Sequence, residues 1–449
     1  MREIAFELLR RVEQDDSYAN LLLPKLLASS KVDSRDAGFI QELSFGTLRN
    51  RLFYESIIEI ASARKVSSID PVVLIVVLLG VHQLLGMRVP AHAAINESVN
   101  LAKAKVPKSS VGFVNAVLRR VSEVSRESWI ERVSQSLGSQ EEVLSVVHSH
   151  PTWITKALKA ALESRGLEDS LEDLLVADNT PARVSAVALP GFCSVSELSE
   201  FGDAGEASPL SVELNVNPGV VPLINQGFAR VQDQGSQLAV LALVNAELDT
   251  DDFSWLDICA GPGGKAALLA ALAFEKGIPF SANEVSEHRA KLVANALAPI
   301  SKVDVSIQDG RDFGGLATKY SRILLDAPCT GLGALRRRPE ARWRKSPSDI
   351  AGLSKLQREI FTASFAALSP GGVLAYVTCS PHLSETTALV SWAEANNSGT
   401  IELLPANSIL NSVNPALRLD ESFKTAQLWP HIHGTDAMFI ALFRKKVSS

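Results

Sequence analysis

Two cysteines stand in short motifs that each follow an apolar run, the position of a residue at the end of a strand. Cys329 lies in Leu325-Asp326-Ala327-Pro328-Cys329-Thr330-Gly331-Leu332-Gly333, and Cys379 lies in Tyr376-Val377-Thr378-Cys379-Ser380-Pro381. If the two strands are neighbours, their tips are about 5 Å apart. A thiolate placed there can act as a covalent nucleophile, whereas a lone buried cysteine is usually a small hydrophobic residue. The residues themselves do not choose which thiol attacks.

A glycine-rich turn between an apolar strand and a helix is a second candidate site. Its residues are Cys259, Ala260, Gly261, Pro262, Gly263, Gly264 and Lys265, after Asp257 at the strand end. Glycines let a backbone approach a ligand closely, and the free N–H groups at a helix start favour an anionic group. The spacing fits neither the dinucleotide pattern nor the P-loop. We therefore expect a cradle for a nucleoside-type cofactor.

Two further acids follow the next predicted strands. Glu284 ends the second strand, where it could accept hydrogen bonds from ribose hydroxyls, and Asp309 ends the third, where it could accept one from an adenine amino group. Each acid alone is more often a loop cap. Together with Asp257 they occupy three consecutive strand ends, as expected if a nucleoside lies across the sheet.

A basic segment directly follows the Cys329 motif. It contains Arg336, Arg337, Arg338, Arg342, Trp343, Arg344 and Lys345, interrupted by one acid, Glu340. Arginine binds phosphates in a bidentate manner and tryptophan can stack on a base, so the combination suits single-stranded or flipped-out RNA. The alternative is a solvated basic loop.

The elements that must position these residues divide the chain into three parts. Helical periodicity runs over 1–145, a mixed connecting module follows over 146–225, and apolar strands alternate with helices over 226–449. The predicted strands are 255–259, 279–285, 303–308, 321–325, 373–378 and 438–443. Such alternation predicts a parallel, Rossmann-like α/β sheet whose ligands bind beyond the carboxyl ends of the strands.

Composition, hydropathy and cysteine spacing bear on the class of protein and on its location in the cell. Apolar residues make up 46% of 449 residues, and the apolar stretch 72–81 is about half of the roughly 20 residues that a membrane span requires, so we predict a buried helix there. The N-terminus lacks a secretory signal pattern, which favours a cytoplasmic protein. The four cysteines have no metal-ligand spacing, so no metal site is expected. Net charge is −6, which leaves a local basic surface possible.

The motifs resemble those of a known family. Asp-x-Cys-Ala-x-Pro-Gly-Gly-Lys, Asp-Ala-Pro-Cys-x-Gly-x-Gly and Thr-Cys-Ser are similar to the motifs of RNA cytosine-5 methyltransferases. The helical region resembles a NusB-like RNA-binding domain through Gln41-Glu42-Leu43-Ser44-Phe45-Gly46 and the stretch 113–119. This combination is similar to the RsmB (Sun/Fmu) rRNA methyltransferases and covers most of the chain.

The resemblance implies a chemistry and a role for each site residue. S-adenosylmethionine would be held by residues 259–265 with Glu284, Asp309 and Asp326. Carbon 5 of cytosine is not nucleophilic until a group adds at carbon 6, which is the role implied for Cys379. Cys329 would assist breakdown of the adduct, and Asp326 would lie between cofactor and base. The implied substrate is 16S rRNA, in an enzyme of the type that methylates cytosine 967.

Alternatives and departures remain open at this point. Related enzymes act on tRNA or on other rRNA cytosines, and a non-catalytic NusB-like RNA-binding protein is a third interpretation. A zinc deaminase is excluded because position 332 is leucine, so its second thiolate ligand is missing. The family pattern usually has aspartate where this chain has Glu284 and glycine where it has Ala437, and both departures concern the cofactor geometry.

Overall fold

The chain is organised into two units, one of which is discontinuous in sequence. A computed structural model describes residues 1–15, 17–30, 32–300, 303, 305–315, 317 and 319–447. The first unit contains Met1–Pro181 together with Leu335–Lys345, and the second contains Ala182–Ala334 with Ser346–Ser449. The predicted boundaries at 145 and 225 therefore do not coincide with these units, because residues 146–181 belong to the first and 182–225 to the second.

The first unit is helical, as the periodicity predicts. Its helices are α1 Arg2–Gln14, α2 Ala19–Ser30, α3 Ser34–Arg49, α4 Arg51–Ser62, α5 Pro71–Leu85, α6 Ala91–Lys105, α7 Lys108–Ser122, α8 Arg126–Gln135, α9 Gln140–Val147, α10 Thr152–Glu163 and α11 Leu171–Asn179. The discontinuous segment adds a short 3₁₀ helix, Pro339–Trp343.

Local signals explain where these helices begin. Asp33 caps α3 by accepting a hydrogen bond from the Asp36 N–H at 2.8 Å. Asp70 does the same for α5, where Pro71 occupies the first helical position. The predicted apolar helix is α5, which is buried along almost its whole length in the core of this unit. No helix within the described residues is both long and apolar enough to cross a bilayer.

The described residues of the second unit form two sheets. The strands and short helices of the small sheet are β1 Ser185–Ala188, α12 Val195–Leu198, β2 Gly202–Ala204, β3 Ser211–Leu214, α13 Pro222–Asn225 and β4 Ala229–Val231. This sheet is antiparallel, with the order β2-β3-β1-β4. This part of the predicted connecting module is thus a separate layer beside the large sheet.

The large sheet carries the candidate site. Its strands and helices are α14 Gln234–Asn245, β5 Trp255–Asp257, α15 Gly264–Glu275, β6 Phe280–Asn283, α16 Glu287–Leu297, β7 Val305–Ser306, β8 Tyr320–Asp326, α17 Pro347–Ala367, β9 Leu368–Thr378, α18 Thr387–Asn396, β10 Ile401–Leu404, α19 Ala406–Val413, β11 Ala426–Gln427, α20 Pro430–His433 and β12 Phe439–Lys445. The strand order is β10-β12-β9-β8-β5-β6-β7, with β11 pairing with β12 outside this series.

Strand direction agrees with the prediction for the central strands only. Strands β5 to β9 are parallel, so their carboxyl ends meet at one edge. The late strand predicted at 438–443 is antiparallel to β9, which corrects the expectation of a wholly parallel sheet. The strand predicted at 303–308 is only two residues long among the described residues, and Asp304 lies outside them.

Both faces of the large sheet are covered, which is why its central strands are apolar throughout. Leu324, Ala375 and Val377 point into one core, whereas Ile323, Leu325 and Tyr376 point into the other. Successive strand residues face opposite sides, so a run of apolar residues satisfies both layers at once. Polar side chains are therefore left to the strand ends, where the candidate residues lie.

Candidate active site

The glycine turn after β5 has no room for a side chain at two positions, and at one of them the backbone also has a positive φ. Gly263 has φ +106°, and a Cβ there would lie 2.6 Å from the Ala296 Cβ. A Cβ on Gly261 would lie 2.2 Å from Glu284 Oε2. At Gly264, where α15 begins, a Cβ would meet nothing within 4 Å. The turn is thus tightly packed on the protein side and open at the helix start, as a cradle must be.

The predicted strand-end acids lie around this turn but differ in environment. Glu284 is buried, and its carboxylate accepts hydrogen bonds from the N–H groups of Gly261 at 3.1 Å and Ser286 at 3.0 Å. Arg289 Nη1 lies 3.4 Å from the same carboxylate. Asp309 is partly exposed and binds Arg311, whose hydrogen bonds lower the pKa of this acid. Glu284 therefore supports the turn directly.

Asp257 differs from both. It is fully buried, and its Oδ2 has no hydrogen-bond partner among the described residues, while Oδ1 accepts the Cys259 N–H at 3.3 Å. Burial and the nearby Asp326 charge raise the pKa of Asp257 to about 8. An orphaned carboxyl oxygen beneath the cradle can pair with a polar group of a bound ligand.

The two predicted thiols come together. Cys329 Sγ and Cys379 Sγ are 3.5 Å apart, because β8 and β9 are parallel neighbours with Asp326 opposite Val377. Both residues are partly exposed. The loop after Cys329 is fixed to the second strand end, since the Gly333 N–H donates to the Cys379 carbonyl at 2.8 Å. Both thiols can therefore face a single substrate group.

Lys265 links the cradle to the thiols. Its Nζ donates to Asp326 Oδ2 at 2.8 Å, so the helix start and the end of β8 are joined by an ion pair. Burial lowers the pKa of Lys265, but the charges of Asp326 and of a Cys379 thiolate more than offset this and raise it. The same attraction stabilises a thiolate at Cys379.

The other cysteines do not share these conditions. Burial and the surrounding acids Asp257, Asp326 and Glu284 raise the pKa of Cys259, so this thiol stays neutral. The pKa of Cys193 is also raised, chiefly by burial. Within the described residues no cluster of side chains could hold a metal ion.

A buried polar network beneath the two thiols was missed by the sequence analysis. Glu385 lies in the short 3₁₀ helix Leu383–Glu385, is fully buried, and accepts hydrogen bonds from Thr330 and Gln357. The helix that follows, α18, begins at Thr387. A glutamate six residues after Cys379 was the available signal. Nothing in the sequence showed that it reaches residues 327–333, the Cys329 loop.

The basic segment predicted to contact RNA requires correction. Arg342 is fully buried within the first unit, and its guanidinium donates to the carbonyls of Arg49 at 3.0 Å, Ser149 at 3.1 Å and Asp178 at 3.0 Å. It also donates to Asn179 Oδ1 at 2.8 Å. A guanidinium enclosed in this way cannot reach a phosphate, so its assignment as an RNA contact is wrong.

Several neighbours of Arg342 are also engaged. Arg336 is buried, and Arg344 donates to the carbonyls of Val12 and Ser17. The Arg51 guanidinium carbon lies 5.7 Å from the Trp343 ring centroid, so it covers one face of the predicted stacking platform. Arg338 is exposed, and Arg337 and Lys345 are partly exposed. These three remain the candidates for contact with RNA.

Comparison with known proteins gives the family. Residues 240–444 match the family described as 16S rRNA methyltransferase RsmB/F, and residues 1–123 match the NusB family. A Mycobacterium tuberculosis protein named as a methyltransferase is 43% identical over 450 residues, covering 99% of this chain and 96% of its own length. The chain belongs to the RsmB/F family of rRNA methyltransferases.

A further relative agrees with this membership, and two solved structures have the same fold. Ribosomal RNA small subunit methyltransferase B of Citrobacter koseri is 32% identical over 396 residues, or 85% of this chain and 86% of that protein. The crystal structure of PH0851 has a TM-score of 0.78 at 21% identity and covers 98% of this chain and 97% of its own. A methyltransferase homologue from Pyrococcus horikoshii has a TM-score of 0.55 at 22% identity and covers 69% of this chain and all of its own.

Family membership confirms the predicted fold class, a helical NusB-like part followed by a Rossmann-like α/β methyltransferase part. The matched range 240–444 contains the glycine turn, the strand-end acids and both thiols. Ala437, the departure from glycine, has ordinary backbone geometry, because the described non-glycine residues with positive φ are Ala63, Ser149 and Arg418. Its N–H donates to the Gly333 carbonyl at 2.8 Å.

Proposed function

We propose that this enzyme transfers a methyl group from S-adenosylmethionine to carbon 5 of a cytosine in 16S rRNA, with Cys379 as the covalent nucleophile. The observation that carries the proposal is the pair of thiols, 3.5 Å apart at adjacent strand ends. A non-catalytic NusB-like protein would have no use for two converging thiols beside an ion-paired lysine. The enzyme is therefore favoured over the binding module.

The residues of the cradle fit the proposed cofactor. The open space at Gly264 and the free N–H groups at the start of α15 suit a carboxylate, and the orphaned Asp257 oxygen suits a polar group above it. We assign residues 259–265 with Glu284, Asp309 and Asp326 to cofactor binding. Asp309 would have to exchange its bond with Arg311 for one to the ligand. When bound, S-adenosylmethionine supplies an electrophilic methyl group.

The two thiols would then divide the chemistry. The Cys379 thiolate bonds to carbon 6, and the displaced electron pair makes carbon 5 nucleophilic. After methylation, Cys329 gives its own proton to solvent and takes the proton from carbon 5. The electrons of that C–H bond restore the ring double bond, and the carbon–sulfur bond breaks to release Cys379 as a thiolate. One proton is released per methyl group transferred.

The choice of RNA rests on the relatives. Those at about 30% identity are named for the small-subunit rRNA, and we propose the same RNA here, with cytosine 967 as the type position. An enzyme of ribosomal RNA would work in the cytoplasm. A different rRNA cytosine or a tRNA is the alternative. Arg337, Arg338 and Lys345 are proposed to contact the RNA backbone.

Bisulfite sequencing tests the target. Small-subunit rRNA from cells with and without the gene should differ at one cytosine, and an unchanged pattern would refute the rRNA assignment. The purified protein should bind S-adenosylmethionine in isothermal titration calorimetry, and a failure to bind would favour the non-catalytic alternative.

Two variants test the roles of the thiols. Cys379→Ala should abolish methyl transfer to RNA in vitro, whereas Cys329→Ala should accumulate a covalent protein–RNA adduct visible on a denaturing gel. Cys193→Ala is the matched control, because this cysteine belongs to the core of the small sheet. An active Cys379→Ala enzyme would reverse the assignment.

A further inference from the structure

The Glu385 side chain forms hydrogen bonds with the Cys329 loop. Its Oε1 accepts hydrogen bonds from the Thr330 N–H at 2.8 Å and from Gln357 Nε2 at 3.2 Å, and its Oε2 accepts one from Thr330 Oγ1 at 2.5 Å. The Glu385 carbonyl accepts the Tyr376 hydroxyl at 2.8 Å. The carboxylate thus accepts hydrogen bonds from a backbone N–H, a side-chain amide and a hydroxyl.

These hydrogen bonds surround the residues that carry the thiols. Thr330 directly follows Cys329, and Gln357 also donates to the Pro328 carbonyl at 2.9 Å, on the other side of the same cysteine. The Thr330 and Ser380 hydroxyls are 2.9 Å apart, and Ser380 directly follows Cys379. The network therefore fixes the Cys329 backbone on both sides and joins it to the strand end that bears the second thiol.

We propose that Glu385 is a positioning residue that makes the two thiols inequivalent. Its carboxylate holds the Cys329 loop against the Cys379 strand end, and its buried negative charge disfavours a thiolate at Cys329. This inference rests on the proposed function, because it explains why Cys379 attacks carbon 6 while Cys329 acts only after the adduct has formed.

The electrostatics on the two sides of the pair support this inequivalence. The hydrogen bond to Cys379, burial, and the charges of Cys379, Glu385 and Asp326 raise the pKa of Cys329 well above its ordinary value. On the other side, the Lys265 ammonium is attracted to a Cys379 thiolate. Once Cys379 is bonded to carbon 6, its hydrogen bond and its charge are gone. Cys329 can then lose its proton and serve as the base.

Carboxylate charge, and not only shape, is needed for this role. A glutamine at position 385 would keep the length of the side chain, but one of its two terminal groups would be a donor and the negative charge would be lost. If Glu385 only maintained the fold, its replacement would change the alkylation rates of all thiols in this unit alike. A charge that acts on Cys329 would affect this thiol selectively.

The test measures the alkylation rate of each cysteine by iodoacetamide as a function of pH, resolved by mass spectrometry of the full-length protein. Alkylation follows the thiolate fraction, and one unit of pKa corresponds to a tenfold change in that fraction below the pKa. In the wild type, Cys379 should react at lower pH than Cys329. Glu385→Gln should raise the Cys329 rate at pH 8 several-fold relative to that of Cys379. Glu394→Gln, an exposed residue of α18, is the control.

An unchanged ratio of Cys329 to Cys379 rates in a folded Glu385→Gln protein would overturn the proposal. If that variant fails to fold, Thr330→Val and Thr330→Ser give a second test. Valine removes the hydroxyl that reaches Glu385 and Ser380, and serine retains it. The valine variant should lose kcat with little change in KM, and the serine variant should recover it; equal kcat values would overturn the positioning role.

Failure of the inference and failure of the proposed function give different results. Alkylation uses neither RNA nor S-adenosylmethionine, so it reports on the thiols even if the substrate assignment is wrong. A wild-type protein that methylates no RNA would refute the proposed function, but the difference between the two thiols could still be measured.

Discussion

Replacing Arg342 with alanine should destabilise the helical unit, although the sequence places this arginine in a basic segment that is expected to face solvent or RNA. The side chain is fully buried and donates to three carbonyls and one side-chain amide oxygen. The acceptors belong to the end of α3, the turn after α9, and the end of α11. Alanine would leave these oxygens without a donor and without access to water.

The size of the effect follows from those four contacts. A hydrogen bond to a charged group contributes about 1.5–3 kcal/mol, and each buried acceptor left unsatisfied costs about 1–3 kcal/mol. The contributions are not additive, and removal of the buried charge returns part of its desolvation cost. We expect a loss of about 3–5 kcal/mol. A unit of this size loses about 2–4 °C in Tm per kcal/mol, so the transition should fall by roughly 10 °C.

Differential scanning calorimetry of the full-length protein checks this prediction, with Arg338→Ala as the matched control. Arg338 lies in the same segment but is exposed. Its replacement should change the stability by less than about 0.5 kcal/mol while weakening RNA binding in a filter assay, more at low salt than at high salt. Arg342→Lys should not restore stability, since an ammonium lacks the planar fork that reaches several acceptors.

The result that would refute the reasoning is a Tm for Arg342→Ala equal to that of Arg338→Ala. It would mean that the helical unit does not depend on the buried guanidinium. Equal losses of RNA affinity in both variants, without a loss of stability in either, would instead restore Arg342 as an RNA contact.

Two further predictions concern the second unit. Gly333→Ala would place a Cβ 2.1 Å from the Ala437 carbonyl oxygen and 2.9 Å from that of Cys379. Because this would move the Cys329 loop, the substitution should lower kcat about 100-fold. Gly352→Ala, where a Cβ would meet nothing within 4 Å, should stay active, and equal kcat values for the two variants in the methylation assay would contradict the prediction. Between about pH 4 and pH 8, Asp257 keeps its proton in the folded protein but loses it when the chain unfolds. The contribution of Asp257 to the free energy of unfolding should therefore fall as pH rises through this range. Asp257→Asn should flatten this dependence in urea titrations, and parallel curves for the two proteins would contradict the raised pKa.

The sequence alone determined the local chemistry of this protein. The strand-end position of both cysteines, the glycine turn and the strand-end acids follow from patterns within a few residues. Strands that are covered on both faces are continuous apolar runs, so the polar residues that follow such runs in this chain mark the strand ends. The same patterns predicted the helical first part and the buried helix α5, because helical periodicity is a property of neighbouring residues along the chain.

Only the tertiary structure decided which distant residues meet. Arg342 and Arg338 are alike in sequence, but folding buries one of them among the carbonyls of three helix ends and leaves the other exposed. Glu385 reaches the Cys329 loop only because β8 and β9 pair, which brings together residues 55 positions apart. The antiparallel direction of the last strand depends on its pairing with β9 as well. Such contacts depend on packing between elements, which local residue patterns do not encode.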